Sequence, residues 1–470
     1  MTGAATVASR APDDWRPRFH VTGERNWIND PNGPIQHAGV YHLFHQANPE
    51  RPFWGRPAWG HVTSTDLVTW TRRRPALVPE QGGPDADGCW SGCTRIVDGR
   101  PAIYYTGVVG EDEARVESVC RAWGSEDLLS WERDAGNPLV AGPWLQLGSG
   151  YHRDPFLWRD GDGWHLLLGS GTTTGERHGQ VLRYDSPDAT DWTYGGVFFA
   201  RPRSMGALDL GEHWECPQLL LEGDRAALIL SCQVPGAEQP LMHCVAFVGR
   251  VREGRFEGEL AGRIDHGDVF YAPAIFRDES GRDLMVGWAQ EHLDAERHAT
   301  LSHAGALTLP RELALQDGAL RTRPVPEIQG LRREALDAQG AFAIPPQVEL
   351  AATMAGGGGR AGWRLLAGGG EPRASVEVDL DRRELAVAVD DGAGDPRSFA
   401  APLAGDGPHE LRVLLDGSLL EAFAGDACAI TTRVYARSGV CTAAHAQSSG
   451  DARLHGSRAW RLASDAIADH

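Results

Sequence analysis

The chain contains no lysine, so all 45 of its Lys-plus-Arg positions are arginine. That absence removes whole reaction classes. A P-loop, a protein kinase and a pyridoxal or other Schiff-base enzyme each need a lysine for their chemistry. Positive charge is also short overall, since 64 acidic residues leave a formal net charge of −19. A surface of that sign repels phosphates, so nucleic acid is excluded as a partner. No apolar run approaches the roughly 20 residues that a membrane-spanning helix requires, so no membrane partner is expected. The first 18 residues lack a cationic start followed by an apolar stretch, the pattern of a secretory leader, and a cytoplasmic location is expected. The 8 cysteines are accordingly read as thiols. Cys89 and Cys93, on one expected strand, would lie about 13 Å apart at ~3.3 Å per residue, too far to bridge. No Cys or His spacing suits a metal, and neither metal nor cofactor is expected.

What the chain does have is a repeat. Ser64-x-Asp66-x-x-x-Trp70 returns as Ser125-x-Asp127-x-x-x-Trp131 and as Ser186-x-Asp188-x-x-x-Trp192, a step of 61 residues each time. A short apolar strand precedes each signature, at 41–44, 102–105 and 164–168, and two more, 226–231 and 284–288, extend the series to five units. Strands split by Gly, Asp and Pro clusters, without helical periodicity, argue for an all-β chain. Radial closure into a propeller is one way for such repeated sheets to avoid long exposed edges.

Residues at one phase of a propeller repeat stand at one height around its axis. Just before the apolar strand the five units offer Asp30, Ser91-Gly92, Arg153-Asp154, Trp214-Glu215-Cys216 and Tyr271-Ala272-Pro273. Three carboxylates, Asp30, Asp154 and Glu215, would therefore converge on one pocket. Singly, each has a plainer reading: Asp30-Pro31-Asn32-Gly33 is a good surface turn, Asp154 could pair with Arg153, and Glu215 could be solvated. Asp209 is read as a loop residue. Trp54, Trp59 and His61 are expected in a loop near the pocket mouth, where an exposed Trp suits the apolar face of a sugar.

Five such units use about two thirds of the 470 residues, so a second domain is required. Prolines at 310, 324 and 326 mark a boundary. The expected layout is a five-bladed β-propeller over 1–325, a linker over 326–346 and a β-sandwich over 347–470, with short alternating strands at 374–380, 384–389, 410–415 and 419–423. Glycines at 356–359 and 368–370 read as hairpin tips, since no helix start follows them to hold a phosphate.

The ordered segments NWINDPNG at 26–33, HLFHQANP at 42–49, WGHVTSTDLVTW at 59–70, WSG at 90–92, RDP at 153–155, WECP at 214–217, DHGDVFYA at 265–272, LPREL at 309–313 and DGSLLEAF at 416–423 resemble glycoside hydrolase family 32, the invertase, fructosidase and levanase family. The resemblance covers nearly the whole chain and implies the same propeller and sandwich. It implies Asp30 as nucleophile, Asp154 as transition-state stabiliser and Glu215 as general acid/base, with Asn29, Gln46, Trp54, Ser91 and Arg153 binding substrate. Strand-end capping remains the other reading of Gln46 and Ser91. Turn N–H groups would keep Asp30 ionised, while Trp214 and Cys216 would desolvate Glu215 into an acid. The activity implied is that of a retaining β-fructofuranosidase releasing terminal β-D-fructosyl units from sucrose or short fructooligosaccharides. The alternatives are a fructosyltransferase, a sucrose-6-phosphate hydrolase with Arg51 and Arg56 on the phosphate, and a non-catalytic fructan-binding propeller. Departures from the family at His45, Ala47, Cys93 and Ala274 are expected near the leaving group. Monomer and homo-oligomer are both open.

Overall fold

A computed structural model describes the chain except residues 1–12, 112–113, 142–150, 162, 238–239, 317, 391, 393–394, 406, 436–438 and 470. Its first part is a five-bladed β-propeller. The five inner strands are Asn26–His37, Gly88–Val97, Arg153–Asp160, His213–Glu222 and Phe270–Arg277, each followed antiparallel by the apolar strand expected from the repeat. They neighbour one another in order around the axis, and Phe270–Arg277 returns to lie beside Asn26–His37, closing the ring.

The Ser-Asp-Trp signature is the turn from the third to the fourth strand of a blade. Ser64 donates its hydroxyl to Asp66 Oδ1 at 3.0 Å, and the same oxygen accepts the N–H groups of Val68 and Thr69. Asp127 and Asp188 repeat the pattern, taking the Ser125 and Ser186 hydroxyls at 2.6 and 3.0 Å. Leu67, Leu128 and Ala189 all stand at positive φ, at 67°, 56° and 59°, in this turn. Side-chain oxygens that satisfy turn N–H groups offset that backbone strain.

Two further edges join the first blade. His303–Ala304 pairs in parallel with Asn26 and Trp27, and Ile467–Ala468 pairs in parallel with Trp70 and Thr71, so the chain's far end is fastened to its beginning.

The second part is a sandwich of two six-stranded sheets. Its interior holds Val348, Leu350, Trp363, Val376, Leu385 and Leu411. The stretch 326–346, expected as a linker, carries the 3-10 turn Pro326–Leu331 and the strands Arg332–Leu336 and Ala341–Ala343, which pair with Arg453–Leu462 and Ala443–Ser448. It supplies an edge to each sandwich sheet, and the alternation there was too short to read as strand.

Sandwich and propeller share a core. Leu414, Phe423 and Ala429 pack with Phe19, Ile28, Leu43, Val286 and Leu307. Among them lies a set of fully buried charges. Arg311 donates to Asp265 at 2.9 Å and to Glu421 at 2.6 Å, and His20 bridges Asp416 and Glu421 at 2.9 Å each. The N–H groups of Arg18, Phe19 and His20 all point at the Asp416 carboxylate, tying the lead-in segment to the sandwich.

Candidate active site

All five inner strands are interrupted at the same height. Asn29 and Asp30 oppose only Gln46, Asp154 and Pro155 oppose Leu168, Cys216 and Pro217 oppose Leu230, and Ala272 and Pro273 oppose Gly287; in the second blade Ser91 is the extra residue. Such bulges turn a side chain out of the pleat. Proline follows the turned residue in four blades, at 31, 155, 217 and 273, and its missing N–H suits a point where the ladder is broken. Asp154, Cys216 and Ala272 reach the bulge at φ of 63°, 47° and 45°, a conformation that L-residues adopt only under constraint. The proline phase was present in the sequence and unread there.

The bulges aim into a cavity of about 890 Å3. Seven of the eight expected site residues line it: Asn29, Asp30, Gln46, Trp54, Arg153, Asp154 and Glu215. Ser91, 2% exposed, sits behind them.

Asp30 is held at both oxygens. Ser91 donates to Oδ2 at 2.6 Å and Asn29 to Oδ1 at 3.2 Å. Trp27 fixes Asn29, which donates to Gln46, and Gln46 donates to Ser91. Gln46 and Ser91 thus belong to the hydrogen-bond chain that orients the Asp30 carboxylate. Arg153 donates through Nε and Nη2 to Glu215 Oε1 at 3.1 and 2.7 Å, through Nη1 to Glu117 at 2.9 Å and through Nη2 to Gln233 at 3.0 Å. Tyr271 donates to Glu215 Oε2 at 2.7 Å, with Cys232 O as its other acceptor at 3.1 Å. Asp154 accepts the Cys216 N–H at 2.9 Å. Ser91 to Asp30, Cys216 to Asp154 and Arg153 to Glu215 span 61, 62 and 62 residues. These are contacts between adjacent blades at one phase.

Charge is distributed differently from the expectation. Glu215 is not wrapped in its apolar neighbours; its carboxylate lies between Arg153 and Tyr271. Burial raises the other two acids. It lifts Asp30 from the usual 3.8 to about 6, with Ser91 opposing and Glu215 adding to the rise. It lifts Asp154 to about 8, where Arg153 opposes and Glu215 and Asp30 add.

The departures from the family lie elsewhere. His45, Cys93 and Ala274 are buried in blade packing, and none of them, nor Ala47, lines the cavity. Neighbours of Gln46 on a strand face the opposite side of the pleat, and Cys93 and Ala274 stand beyond their bulges. Trp59 and His61 are likewise buried in the strand Ala58–Ser64, leaving Trp54, 48% exposed and edge-on to Trp90 at 5.3 Å, as the aromatic at the mouth. Arg51 and Arg56 do not reach the cavity. Asp209 pairs with Arg203 outside it. Sequence reasoning missed Trp27, Trp90, Arg115, Tyr151, Gln233 and the wall at residues 290–294. It also passed over Tyr271, although the repeat phase had placed it beside the carboxylates.

A recessed set of carboxylates, one ringed by hydroxyl and amide donors and another by a guanidinium and a phenol, is the equipment of a glycoside hydrolase. The chain belongs to glycosyl hydrolases family 32: the family's N-terminal domain matches residues 20–324 and its C-terminal domain residues 327–461. A sucrose-6-phosphate hydrolase of Zymomonas mobilis is 30% identical over 440 residues, 88% of this chain and 84% of the relative. A β-fructofuranosidase of Oryza sativa, insoluble isoenzyme 4, is 30% identical over 359 residues, 71% of this chain and 59% of the relative. Among solved structures, a β-fructofuranosidase of Bombyx mori superposes with a TM-score of 0.78 at 26% identity, covering 97% of this chain and 95% of that one. Fructan 1-exohydrolase IIa of Cichorium intybus shares the fold, with a TM-score of 0.81 at 23% identity over 98% of this chain and 100% of that one.

Proposed function

We propose that this glycosidase releases terminal β-D-fructosyl units, with retention, from neutral fructosides such as sucrose and short fructooligosaccharides. The observation that carries the reading is the placement of Asp30, Asp154 and Glu215 at three inner-strand bulges, Glu215 immediately ahead of its own, with all three lining one cavity.

Asp30 is the nucleophile. Ser91 and Asn29 fix its orientation, and partial desolvation leaves it basic and poorly stabilised, the state from which attack on an anomeric carbon is easiest. Glu215 is the acid/base. Arg153 occupies Oε1, so the proton rides on Oε2; the Tyr271 hydroxyl then turns its hydrogen to Cys232 O and returns once the proton has passed to the leaving oxygen. Water completes the cycle with Glu215 as base. Asp154, anchored by the Cys216 N–H and lifted to about 8 by burial, faces the oxocarbenium-like charge of the transition state once it is ionised.

The names of the relatives divide between sucrose 6-phosphate and unphosphorylated fructosides, and the charge of the cavity favours the second. Among the described residues that line it, the carboxylates Asp268, Glu291 and Asp294 are paired with Arg397, Arg433 and Arg297, while the guanidinium groups of Arg115 and Arg153 are both engaged by Glu117. Arg153 is already committed to Glu117 and Glu215. Neither guanidinium of the lining is left uncommitted to hold a dianionic phosphate. Rates on sucrose, sucrose 6-phosphate, 1-kestose, inulin and levan, with free fructose and glucose measured separately, test this. Turnover of sucrose and 1-kestose is expected. A higher kcat/KM on sucrose 6-phosphate overturns the substrate, and trisaccharide products ahead of free fructose overturn the hydrolase.

A further inference from the structure

The floor of the cavity and one of its walls are built by different means. The carboxylates stand on inner strands. The wall, residues 290–294, leaves the strand Asp283–Ala289 and climbs from fully buried Ala289 to Asp294, whose side chain is 55% exposed. A fructosyl unit with its anomeric carbon at Asp30 fills the recessed end. The wall runs along the cavity from buried Ala289 toward solvent at Asp294 and forms one side of the path open to a leaving sugar.

Among the described residues none of the sandwich lines the cavity, yet the sandwich holds the wall from behind. Arg433, wholly buried, donates to the backbone carbonyls of Gln290 at 3.0 Å and Ala289 at 3.1 Å and pairs with the Glu291 carboxylate at 2.9 Å. The Tyr435 hydroxyl donates to Glu291 Oε2 and accepts the His292 N–H at 3.0 Å. The adjoining cavity residue Asp268 is fixed in the same way, by Arg397 at 2.7 Å and Thr432 at 2.8 Å. Past its exposed end the wall is pinned again. His298 lies between Phe53 and Trp27, stacked on each at 4.9 and 5.6 Å, and contacts Pro52 O at 2.7 Å.

We infer that Arg433 and Tyr435 are positioning residues for the leaving-group side of the site, acting through the wall at residues 290–294. A surface fastened at its backbone, its carboxylate and its far end presents its groups to the leaving sugar without ordering them anew at each turnover. The sandwich thereby sets leaving-group selectivity while the propeller keeps the fructosyl chemistry. This rests on the fructosidase reading above.

The test compares two donors with the same fructosyl group and different leaving groups, sucrose and methyl β-D-fructofuranoside. Methanol is too small to reach along the wall. In the full-length enzyme, Tyr435→Phe is expected to lower kcat/KM on sucrose roughly fivefold to tenfold, as loss of one positioning hydrogen bond does, with the methyl fructoside changed less than about twofold. Arg433→Lys should move the ratio further in the same direction; where that buried substitution prevents folding, Tyr435→Phe decides alone. Equal losses on both donors, or an unchanged ratio, overturn the inference. A wild-type enzyme that turns over neither donor overturns the fructosidase reading first, and this inference with it.

Discussion

Asp30 and Glu421 are both carboxylates withdrawn from water, and burial pushes each toward its neutral form; only at Glu421 is the push answered. There Arg311, and then His20 and the Leu309 N–H, outweigh desolvation and hold the group at about 2. At Asp30 the hydroxyl and amide donors fall short, Glu215 works against ionisation, and the group rises to about 6. The interdomain cluster is a finished set of ion pairs that fastens two domains. The cavity holds unsatisfied charge whose complement is the cationic transition state. Two groups of the same type, in one chain, are thus told apart by what faces them.

The sharpest way to break this contrast is at the two carboxylates' own functions. Asp30→Asn should lower kcat by at least about 10^4-fold, as loss of a nucleophile does, with the fold retained; near-wild-type turnover would remove Asp30 from the chemistry. Arg311→Leu should have the opposite character. Stripping one partner from the buried pair costs about 3–5 kcal/mol, read as a lower urea midpoint, while kcat/KM per folded molecule stays within about twofold. A smaller effect follows from pH. Because the unliganded enzyme must ionise both Asp154 and Asp30, kcat/KM should decline below pH about 8 and more steeply below about 6, and a profile flat to pH 4.5 would contradict the elevated carboxylates. Tyr271→Phe should lower kcat/KM on sucrose by about fivefold to tenfold through Glu215 alone, with the unfolding free energy changed by no more than about 1 kcal/mol.

Much of this was legible in advance because a propeller writes its geometry into its period. The 61-residue step located the five inner strands and put Asp30, Asp154 and Glu215 at one height. The contacts that hold them, Ser91 to Asp30 or Arg153 to Glu215, are one step apart in the chain. What failed was reasoning from immediate neighbours. Trp214 and Cys216 flank Glu215 in sequence, but the side chain, just ahead of the bulge at Cys216 and Pro217, meets Arg153 and Tyr271 from adjacent blades. His45 and Ala47, expected near the leaving group because they depart from the family pattern, do not line the cavity. The wall at residues 290–294 was out of reach for another reason. Its supports, Arg433 and Tyr435, lie 143 to 144 residues away in another domain, where no repeat links them. LPREL and DGSLLEAF were visible as motifs without a role, and their Arg311, Asp416 and Glu421 now account for the interdomain cluster.

The contrast also fixes how each carboxylate bears on stability. Glu421, lowered from 4.5 to about 2, contributes stability that is present above pH 4.5 and lost as pH falls through 2. Asp30 has the reverse sign: its contribution is full below 3.8 and lost as pH rises through about 6, withholding up to about 3 kcal/mol at neutral pH. The unfolding free energy of Asp30→Asn against wild type, measured at pH 4 and at pH 7.5, tests the central contrast most directly. The variant should match wild type at pH 4 and be the more stable of the two at pH 7.5. A variant equally or less stable than wild type at pH 7.5 would show that the nucleophile is as well satisfied as Glu421, and that the cavity holds no unanswered charge.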